Sequence, residues 1–287
     1  MTGAAPVITH EATYGTPPPR FRAAERNAEV RAWLTIALAG MTALWLTAFA
    51  LAQVTAREVA IPAAERGLAA LSEVDSLLAL GERTLCAQAG GEGIIDLPGF
   101  PVRGVEVRGS EVRCIDGRLD REALRALLLA RGADLVYLRG IEAFIDAGRT
   151  PEAVSPFSGT GAVRGLIDGV TSAVHERVAM AACALGALGV VLTAVLLVMG
   201  RGFGRLSRIG IALSLGALPV LGTGLVLRFA LGALAARAGD PMLDEFIAVA
   251  RALTAVPLRD ALWLLVGGLA LVAPGVMGTR LRGGEGD

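Results

Sequence analysis

Two long apolar runs joined by a short basic turn constrain this chain more than any other feature. Residues 178–199 and residues 209–229 each contain about twenty residues, the length at which an α-helix crosses the hydrocarbon core of a membrane. The turn between them, residues 200–208, carries three arginines. Short arginine-rich turns stay on the cytoplasmic side of a membrane. The sequence therefore predicts a transmembrane hairpin, spans 2 and 3, with its turn in the cytoplasm.

Two further apolar runs, residues 32–53 and residues 261–279, complete a predicted bundle of four transmembrane helices as spans 1 and 4. The composition agrees, since 54% of the residues are hydrophobic. Span 1 could also be a signal peptide, because small residues at Ala48, Ala50 and Ala52 have the spacing of a cleavage site. Its length favours an uncleaved anchor. We therefore expect a multi-pass protein of the cell membrane with both termini in the cytoplasm.

Residues 54–177, between spans 1 and 2, are predicted to form a small extracytoplasmic α+β module. Leucines at helical spacing predict one extended helix over residues 63–87. Val102–Val107 and Glu111–Ile115 alternate apolar and polar residues, which predicts a hairpin. Asp116 and Gly117 are predicted to turn the chain after this hairpin. Asp120 can cap a helix over residues 121–131 with Gly132 at its end, and Asp134–Leu138 is predicted to be a third strand.

Two of the three cysteines, Cys86 and Cys114, fall in this module. Outside the cytoplasm they can form a disulfide, which would stabilise a module of about a hundred residues. The alternative is two unrelated buried thiols. Cys183 lies within span 2, where it is predicted to be a small packing residue.

The remaining segments are predicted from composition and from helix signals. Residues 1–31 form a disordered cytoplasmic tail, and residues 149–161 form a linker rich in Pro, Ser and Gly. The outer loop at residues 230–260 holds a short amphipathic helix that starts at Pro241 and ends before Pro257. This helix either lies in the membrane interface or packs under the module. Residues 280–287 form a cytoplasmic tail.

Small residues in the spans predict close helix contacts at Gly186, Gly189, Gly267 and Gly268. Most of these contacts should lie within the bundle, and the rest could join it to another membrane subunit. Pro219 predicts a kink in span 3. A packing kink is the favoured interpretation of Pro219, and a hinge or a cofactor gap is the alternative.

The sequence contains no pattern typical of catalysis. His10 and His175 are the two histidines, and neither has a second ligand at metal spacing. Apart from Arg228 at one edge, the four predicted spans contain no ionisable residue that could form a proton path. The net charge of zero argues against nucleic acid as a partner. We expect no enzyme activity, no cofactor and no metal.

The order of the segments resembles that of permeases of the cell-division ABC transporter type: one span, an outer module, then three spans. Those permeases carry a longer charged segment between spans 2 and 3, where this chain has GRGFGRLSR, so the resemblance is one of topology. We expect a non-catalytic accessory or scaffold subunit of a bacterial cell-envelope complex that binds a partner through its outer module. Its partners would be the lipid bilayer and other membrane or envelope subunits. A permease-like subunit of a transport system is the alternative, and a lipid-modifying enzyme is a third hypothesis.

Overall fold

The computed structural model describes residues 19–95, 97, 99–144, 167–199, 204–236 and 241–283. The start of the predicted tail, the predicted linker and the last residues of the chain lie outside these ranges. Four short strands form two antiparallel sheets, in which β1 (Ile94–Ile95) pairs with β2 (Val107–Arg108) and β3 (Cys114–Ile115) pairs with β4 (Arg118–Leu119). The described ranges also contain seven helices of 15 residues or more, α1 (Pro19–Val54), α2 (Arg57–Leu71), α3 (Val74–Gln88), α4 (Arg121–Arg139), α5 (Ser172–Met199), α6 (Gly204–Ala235) and α7 (Pro241–Gly283).

Four of these helices contain stretches long and apolar enough to span a membrane. The stretches are Ala28–Val54 in α1, Ser172–Met199 in α5, Gly204–Ala235 in α6 and Ile247–Pro274 in α7. The prediction of four apolar helices is confirmed. The fold is therefore that of a mostly helical, multi-pass membrane protein with a small module between its first two spans.

The outward surface of these helices is apolar. Val190 and Val226 are each 70% exposed, and Phe229 is 80% exposed. Contiguous apolar surface of this kind is rare on water-soluble proteins. Such a surface is compatible with a lipid environment, where these side chains would meet acyl chains.

The four long helices do not contact one another equally. Helix α1 lies between α5 and α6, whereas α6 and α7 pack along much of their length. Leu38 of α1, Leu196 of α5 and Ala212 of α6 form one buried cluster, and Leu46 of α1, Ala217 of α6 and Ala261 of α7 form another. Contacts between α5 and α6 are few. The spans thus form a three-helix group of α1, α6 and α7, with α5 added against α1.

Residues 57–144, which we call the inter-span module, have a hydrophobic core of their own. Helices α2, α3 and α4 and the two sheets contribute to it, and its most buried members include Leu78, Val107, Leu124 and Leu128. Helix α4 begins at the predicted cap, where the Asp120 carboxylate accepts a hydrogen bond from the Ala123 N–H. The module is therefore a folded unit between the end of α1 and the start of α5.

The predicted third strand at Asp134–Leu138 is wrong, because these residues continue α4. Buried residues at helical spacing, from Leu124 through Leu128 to Val136, extend past the point where Gly132 was expected to end the helix. Gly132 instead allows close packing, since a Cβ there would lie 3.2 Å from Leu68 and 3.4 Å from Phe100. The helix ends at Gly140, whose φ of 61° suits glycine.

Two other predictions for the module are also wrong. The single helix expected over residues 63–87 is broken at Ser72, whose backbone is extended, so that α3 can turn its own apolar face to the common core. The expected pairing of Val102–Val107 with Glu111–Ile115 does not occur, because Gly109–Glu111 forms a 3-10 turn that separates two different sheets. The predicted turn at Asp116 and Gly117 does join β3 to β4, with φ of 53° and 74°.

The boundaries of two long helices also differ from prediction. Helix α1 starts at Pro19, so residues 19–31 of the predicted disordered tail are helical. Helix α7 continues through Pro257 instead of ending before it, and its first part contacts α2. Of the two positions considered for that amphipathic segment, packing against the module is the one that the structure favours.

Candidate functional site

A groove on the inter-span module gathers six charged side chains. Its volume is about 680 Å³, and it lies between the β2 strand and helices α2 and α4. We call it the charged groove. Its lining consists of Arg57, Ile61, Gly104, Val105, Glu106, Arg108, Glu111, Ala130, Arg131, Asp134 and Leu135.

One wall of the charged groove is the outer edge of β2, the edge that faces away from β1. Val107 lies opposite Ile95, and the Gly109 N–H donates to the Gly93 carbonyl at 3.0 Å. Hydrogen-bonded pairs alternate along an antiparallel ladder, so Val107 and Gly109 turn their backbone groups toward β1. The backbone groups of Glu106 and Arg108 consequently point away from β1, toward the groove.

Arg131 and Glu111 cap this outer edge. The Arg108 N–H donates to Oε2 of Glu111 at 2.9 Å, and Nη1 of Arg131 donates to the Glu106 carbonyl. The two side chains also bind each other through Nη1 and Oε2 at 2.8 Å and through Nη2 and Oε1 at 2.5 Å. This two-bond geometry is the strong form of an arginine–carboxylate pair. The ion pair thus satisfies backbone groups that would otherwise be left open on an edge strand.

The electrostatics of the cap follow from these contacts. The hydrogen bond from Arg131, followed by the bond from the Arg108 N–H, lowers the pKa of Glu111 to about 2. The same contact raises the pKa of Arg131. Both side chains are about one-third exposed, at 36% for Arg131 and 31% for Glu111. The cap is therefore fully ionised at neutral pH and still accessible to water.

A second ion pair crosses the charged groove between helices. Nη2 of Arg57, at the start of α2, lies 2.7 Å from Oδ1 of Asp134 in α4. The Arg57 side chain is 66% exposed and that of Asp134 is 39% exposed. Pairs this exposed contribute about 0 to 1 kcal/mol to stability. Such a pair can rearrange at little cost when another charged group approaches.

Two charged side chains of the groove remain without an ion-pair partner among the described residues: Glu106 and Arg108. Glu106 precedes β2 and Arg108 ends it, and both are exposed on either side of the buried Val107, so their side chains project from the same face. The groove thus presents one anionic and one cationic group beside an apolar patch of Ile61, Val105 and Leu135. This arrangement suits recognition of a ligand that carries both charges.

The described part of the chain offers little for catalysis or metal binding. Within those residues there is no group of three or more His, Cys, Asp or Glu side chains that could hold a metal ion. The charged groove is lined by arginines and carboxylates that bind each other, and no Ser, Thr, Cys or His is among the lining residues.

The predicted pair Cys86 and Cys114 forms a disulfide, with Cα atoms 5.8 Å apart. It joins the last turn of α3 to β3, beside the core of the module. Cys183 is a free thiol on the exposed surface of α5. The disulfide lies outside the charged groove, so its contribution is to hold the frame that carries the groove.

A small set of polar contacts joins the spans to one another where the module begins. His175 Nδ1 lies 3.1 Å from the Ala52 carbonyl and 3.2 Å from the Thr55 hydroxyl. Because a carbonyl can only accept, Nδ1 carries the hydrogen. Nε2 of Gln53 donates to Oδ2 of Asp260 at 2.9 Å. These contacts join α1 to α5 and α7 at the base of the module.

The four glycines predicted to pack helices lie in different surroundings. A Cβ on Gly268 would be 2.5 Å from Oγ of Ser214 and 2.7 Å from the Gly210 carbonyl of α6. A Cβ on Gly186 would be 2.9 Å from Trp45, whereas at Gly189 the nearest atom, in Met41, would be 3.9 Å away. A Cβ on Gly267 would meet nothing within 4 Å among the described residues. The structure thus brings Gly268 and Gly186 to helix contacts and leaves Gly267 open.

Pro219 lies inside α6, and this helix continues without a break from Gly204 to Ala235. The predicted kink stays a prediction. Gly216 and Gly224 of α6 lie at close contacts with α1 and α7. The sequence did not predict these two contacts. A Cβ on Gly216 would lie 2.7 Å from the Ala39 carbonyl of α1, and one on Gly224 would lie 2.7 Å from Leu258 of α7.

Sequence reasoning did not identify the charged groove. Its arginines come from α2, β2 and α4, so their proximity depends on tertiary structure. A signal was nevertheless present, because Glu106, Arg108 and Glu111 alternate charge beside a predicted strand end. No protein-family model, curated protein or solved structure matches this chain.

Proposed function

We propose that the protein is a non-catalytic accessory or scaffold subunit of a cell-envelope complex, and that its inter-span module binds a partner through the charged groove. The observation that carries this proposal is the groove itself. It presents Glu106 and Arg108, which have no ion-pair partner within the described part of the chain, on a module with its own core and a disulfide. A fixed frame lowers the entropic cost of binding.

The spans support an anchoring role. His175 lies near the start of its apolar stretch. Asp260 lies in the middle of Ile247–Pro274 but accepts a hydrogen bond from Gln53 at the end of α1, and residues 261–274 of α7 contain no ionisable side chain. A proton or ion path would need ionisable or polar groups deep in the membrane. The lipid bilayer is accordingly the first partner of the spans, and a protein is the proposed partner of the module.

We place the module outside the cytoplasm and both termini inside it. Disulfides persist in oxidising compartments, and the module carries the disulfide Cys86–Cys114. Arg205 and Arg208 begin α6 beside the turn that joins it to α5, where basic residues favour the cytoplasmic side. These two arguments are independent and give the same orientation.

Removal of the module tests this function. The Thr55 hydroxyl oxygen and Nδ1 of His175 are 3.2 Å apart. A short Gly-Ser linker can therefore replace residues 57–171 without separating α1 from α5. Full-length and linker proteins would be crosslinked in cells, purified in mild detergent and compared by quantitative mass spectrometry. We expect envelope proteins that copurify with the full chain to be lost from the linker protein.

A single substitution narrows the test to the groove. Arg108→Glu reverses a groove charge that has no ion-pair partner among the described residues, and Arg83→Glu makes the same change on the exposed surface of α3 outside the groove. Arg108→Glu should reduce recovery of the partner, whereas Arg83→Glu should not. Recovery that survives removal of the module would contradict the proposal, and a stoichiometric cytoplasmic ATPase among the retained proteins would favour the permease-like alternative.

A further inference from the structure

We propose that the charged groove takes an extended polypeptide segment, which pairs antiparallel with the outer edge of β2 and carries an acidic residue followed two positions later by a basic one. This inference rests on the proposed function, because it specifies the kind of partner that the module binds. It depends on three observations: the direction of the backbone groups, the exposed charges of Glu106 and Arg108 at the same edge, and the nature of the cap.

The backbone of β2 offers the hydrogen bonds that an added strand needs. The Arg108 N–H and the Glu106 carbonyl both point away from β1 and are engaged by side chains, Glu111 and Arg131, instead of by another strand. Backbone N–H and carbonyl groups at alternate residues along the unpaired edge of a strand are the groups to which an added strand binds. The groove lies along this edge with a volume of about 680 Å³, so a strand has space beside it.

Glu106 and Arg108, which form no ion pair with another described residue, define the sequence of the occupant. Residues directly opposite each other in an antiparallel pair have Cβ atoms about 5 Å apart, and opposite charges there are favourable. An acidic residue would therefore face Arg108 and a basic residue would face Glu106. Because the added strand runs antiparallel, its order from N to C terminus is acidic, any residue, basic. A parallel strand would need the reverse order.

The residue between the two charges lies on the other face of the added strand. The groove has an apolar patch of Ile61, Val105 and Leu135, so an apolar side chain suits this position. Charge order and apolar character together give a pattern of the form Asp-Val-Arg. A pattern of three residues can pair with the two residues of β2 and the residue that precedes it.

The cap competes for the same backbone groups. Glu111 occupies the Arg108 N–H, and Arg131 occupies the Glu106 carbonyl, so an added strand must displace both. The two side chains are about one-third exposed and can turn into water while remaining paired with each other. Removing Glu111 should therefore strengthen binding of the strand.

The other small sheet provides a matched control. Glu82 accepts a hydrogen bond from the Leu119 N–H of β4 at 3.1 Å and also binds Arg121, which repeats the chemistry of the cap. Neither Glu82 nor Arg121 lines the charged groove. Glu82→Ala thus removes an equivalent interaction from the module without opening the edge of β2.

The test measures binding of two end-blocked peptides to the full chain in detergent by fluorescence anisotropy. One peptide is acetyl-Thr-Val-Asp-Val-Arg-Val-Thr-amide, and the other exchanges Asp and Arg. We expect about tenfold tighter binding of the first, since two favourable charge pairs become two unfavourable ones. Glu111→Ala should tighten binding of the first peptide about fivefold, and Glu82→Ala should leave it unchanged. The double substitution Glu106→Arg with Arg108→Glu should reverse the preference between the peptides.

Three results would overturn the inference. One is equal affinity of the two peptides for the unaltered protein, and another is an unchanged preference after the charge exchange. The third is a Glu111→Ala protein that self-associates without binding the first peptide more tightly, because the cap would then serve only to keep the edge strand from pairing with a second copy. Partner recovery that depends on the module while the peptides are not distinguished would leave the proposed function intact and reject this inference alone.

Discussion

The carbonyl oxygen of Gly268 lies so close to Gly210 that a Cβ atom on Gly210 would be 2.4 Å from it. At this point α6 and α7 approach with backbone against backbone. Contacts of this kind hold helices together in lipid, where burial of apolar surface gives no driving force between them. The neighbouring glycine, Gly267, is open, since a Cβ there would meet nothing within 4 Å among the described residues.

The first prediction compares these adjacent glycines. Gly268→Leu should separate α6 from α7 and cost about 3 kcal/mol, because a backbone carbonyl cannot move aside as a flexible side chain would. Gly267→Leu should have little effect, since its side chain would enter open space. The measurement is the thermal transition temperature of each variant in the same detergent. The transition is monitored as the loss of monodisperse protein. Equal stability of the two variants would show that the contact at Gly268 is not important.

The second prediction concerns the contact between α1 and α5. A Cβ on Gly186 would lie 2.9 Å from Nε1 of Trp45, so Gly186→Ala should lower the thermal transition by a few degrees. Gly189→Ala is the control, because its Cβ would make an ordinary contact of 3.9 Å with Met41. Combining Gly186→Ala with Trp45→Phe should recover part of the loss. Failure of the smaller ring to do so would argue against this contact as the cause.

The apolar helices and the disulfide could be predicted from sequence because each depends on local information: a run of apolar residues, or an even pair of cysteines in one loop. The groove could not be predicted in the same way. Arg131 reaches Glu111 and the Glu106 carbonyl from the middle of α4, whereas the sequence placed the end of that helix at Gly132. The helix continues because Gly132 packs against Leu68, a contact between segments that no local pattern specifies.

The third prediction concerns the disulfide. Replacing Cys86 and Cys114 with serine should destabilise the module by about 3 kcal/mol, since the bond constrains the unfolded chain between residues 28 positions apart. Cys183→Ser should have no comparable effect, because that thiol is free and exposed on α5. Protease resistance of the module, measured with and without reductant, reports the difference. Identical resistance in both conditions would contradict a structural role for the bond.

The fourth prediction follows from the ionised state of the cap. The folded pKa of Glu111 is lowered from 4.5 to about 2, so its contribution to stability is complete above pH 4.5 and is lost as the pH falls toward 2. Glu111→Gln should lower the thermal transition at neutral pH and should reduce the further loss between pH 4.5 and pH 2. Glu82 also has a lowered pKa, caused first by its hydrogen bond from Arg121. The loss of stability in acid that remains in Glu111→Gln should therefore be smaller in the double variant Glu111→Gln with Glu82→Gln. An unaltered pH profile in Glu111→Gln would show that the cap does not contribute.

The last prediction concerns orientation in the membrane. We expect Ser110, which is exposed on the module, to face the outside, and Ser207, in the first turn of α6, to face the cytoplasm. Single cysteines at these positions, in a protein whose Cys183 is replaced by serine, would be treated in intact cells with a membrane-impermeant thiol reagent. Cysteine at position 110 should react before lysis, and cysteine at position 207 should react only after the membrane is opened. The reverse pattern would place the module, its disulfide and the charged groove in the cytoplasm, and an envelope partner on the outer side would then be excluded.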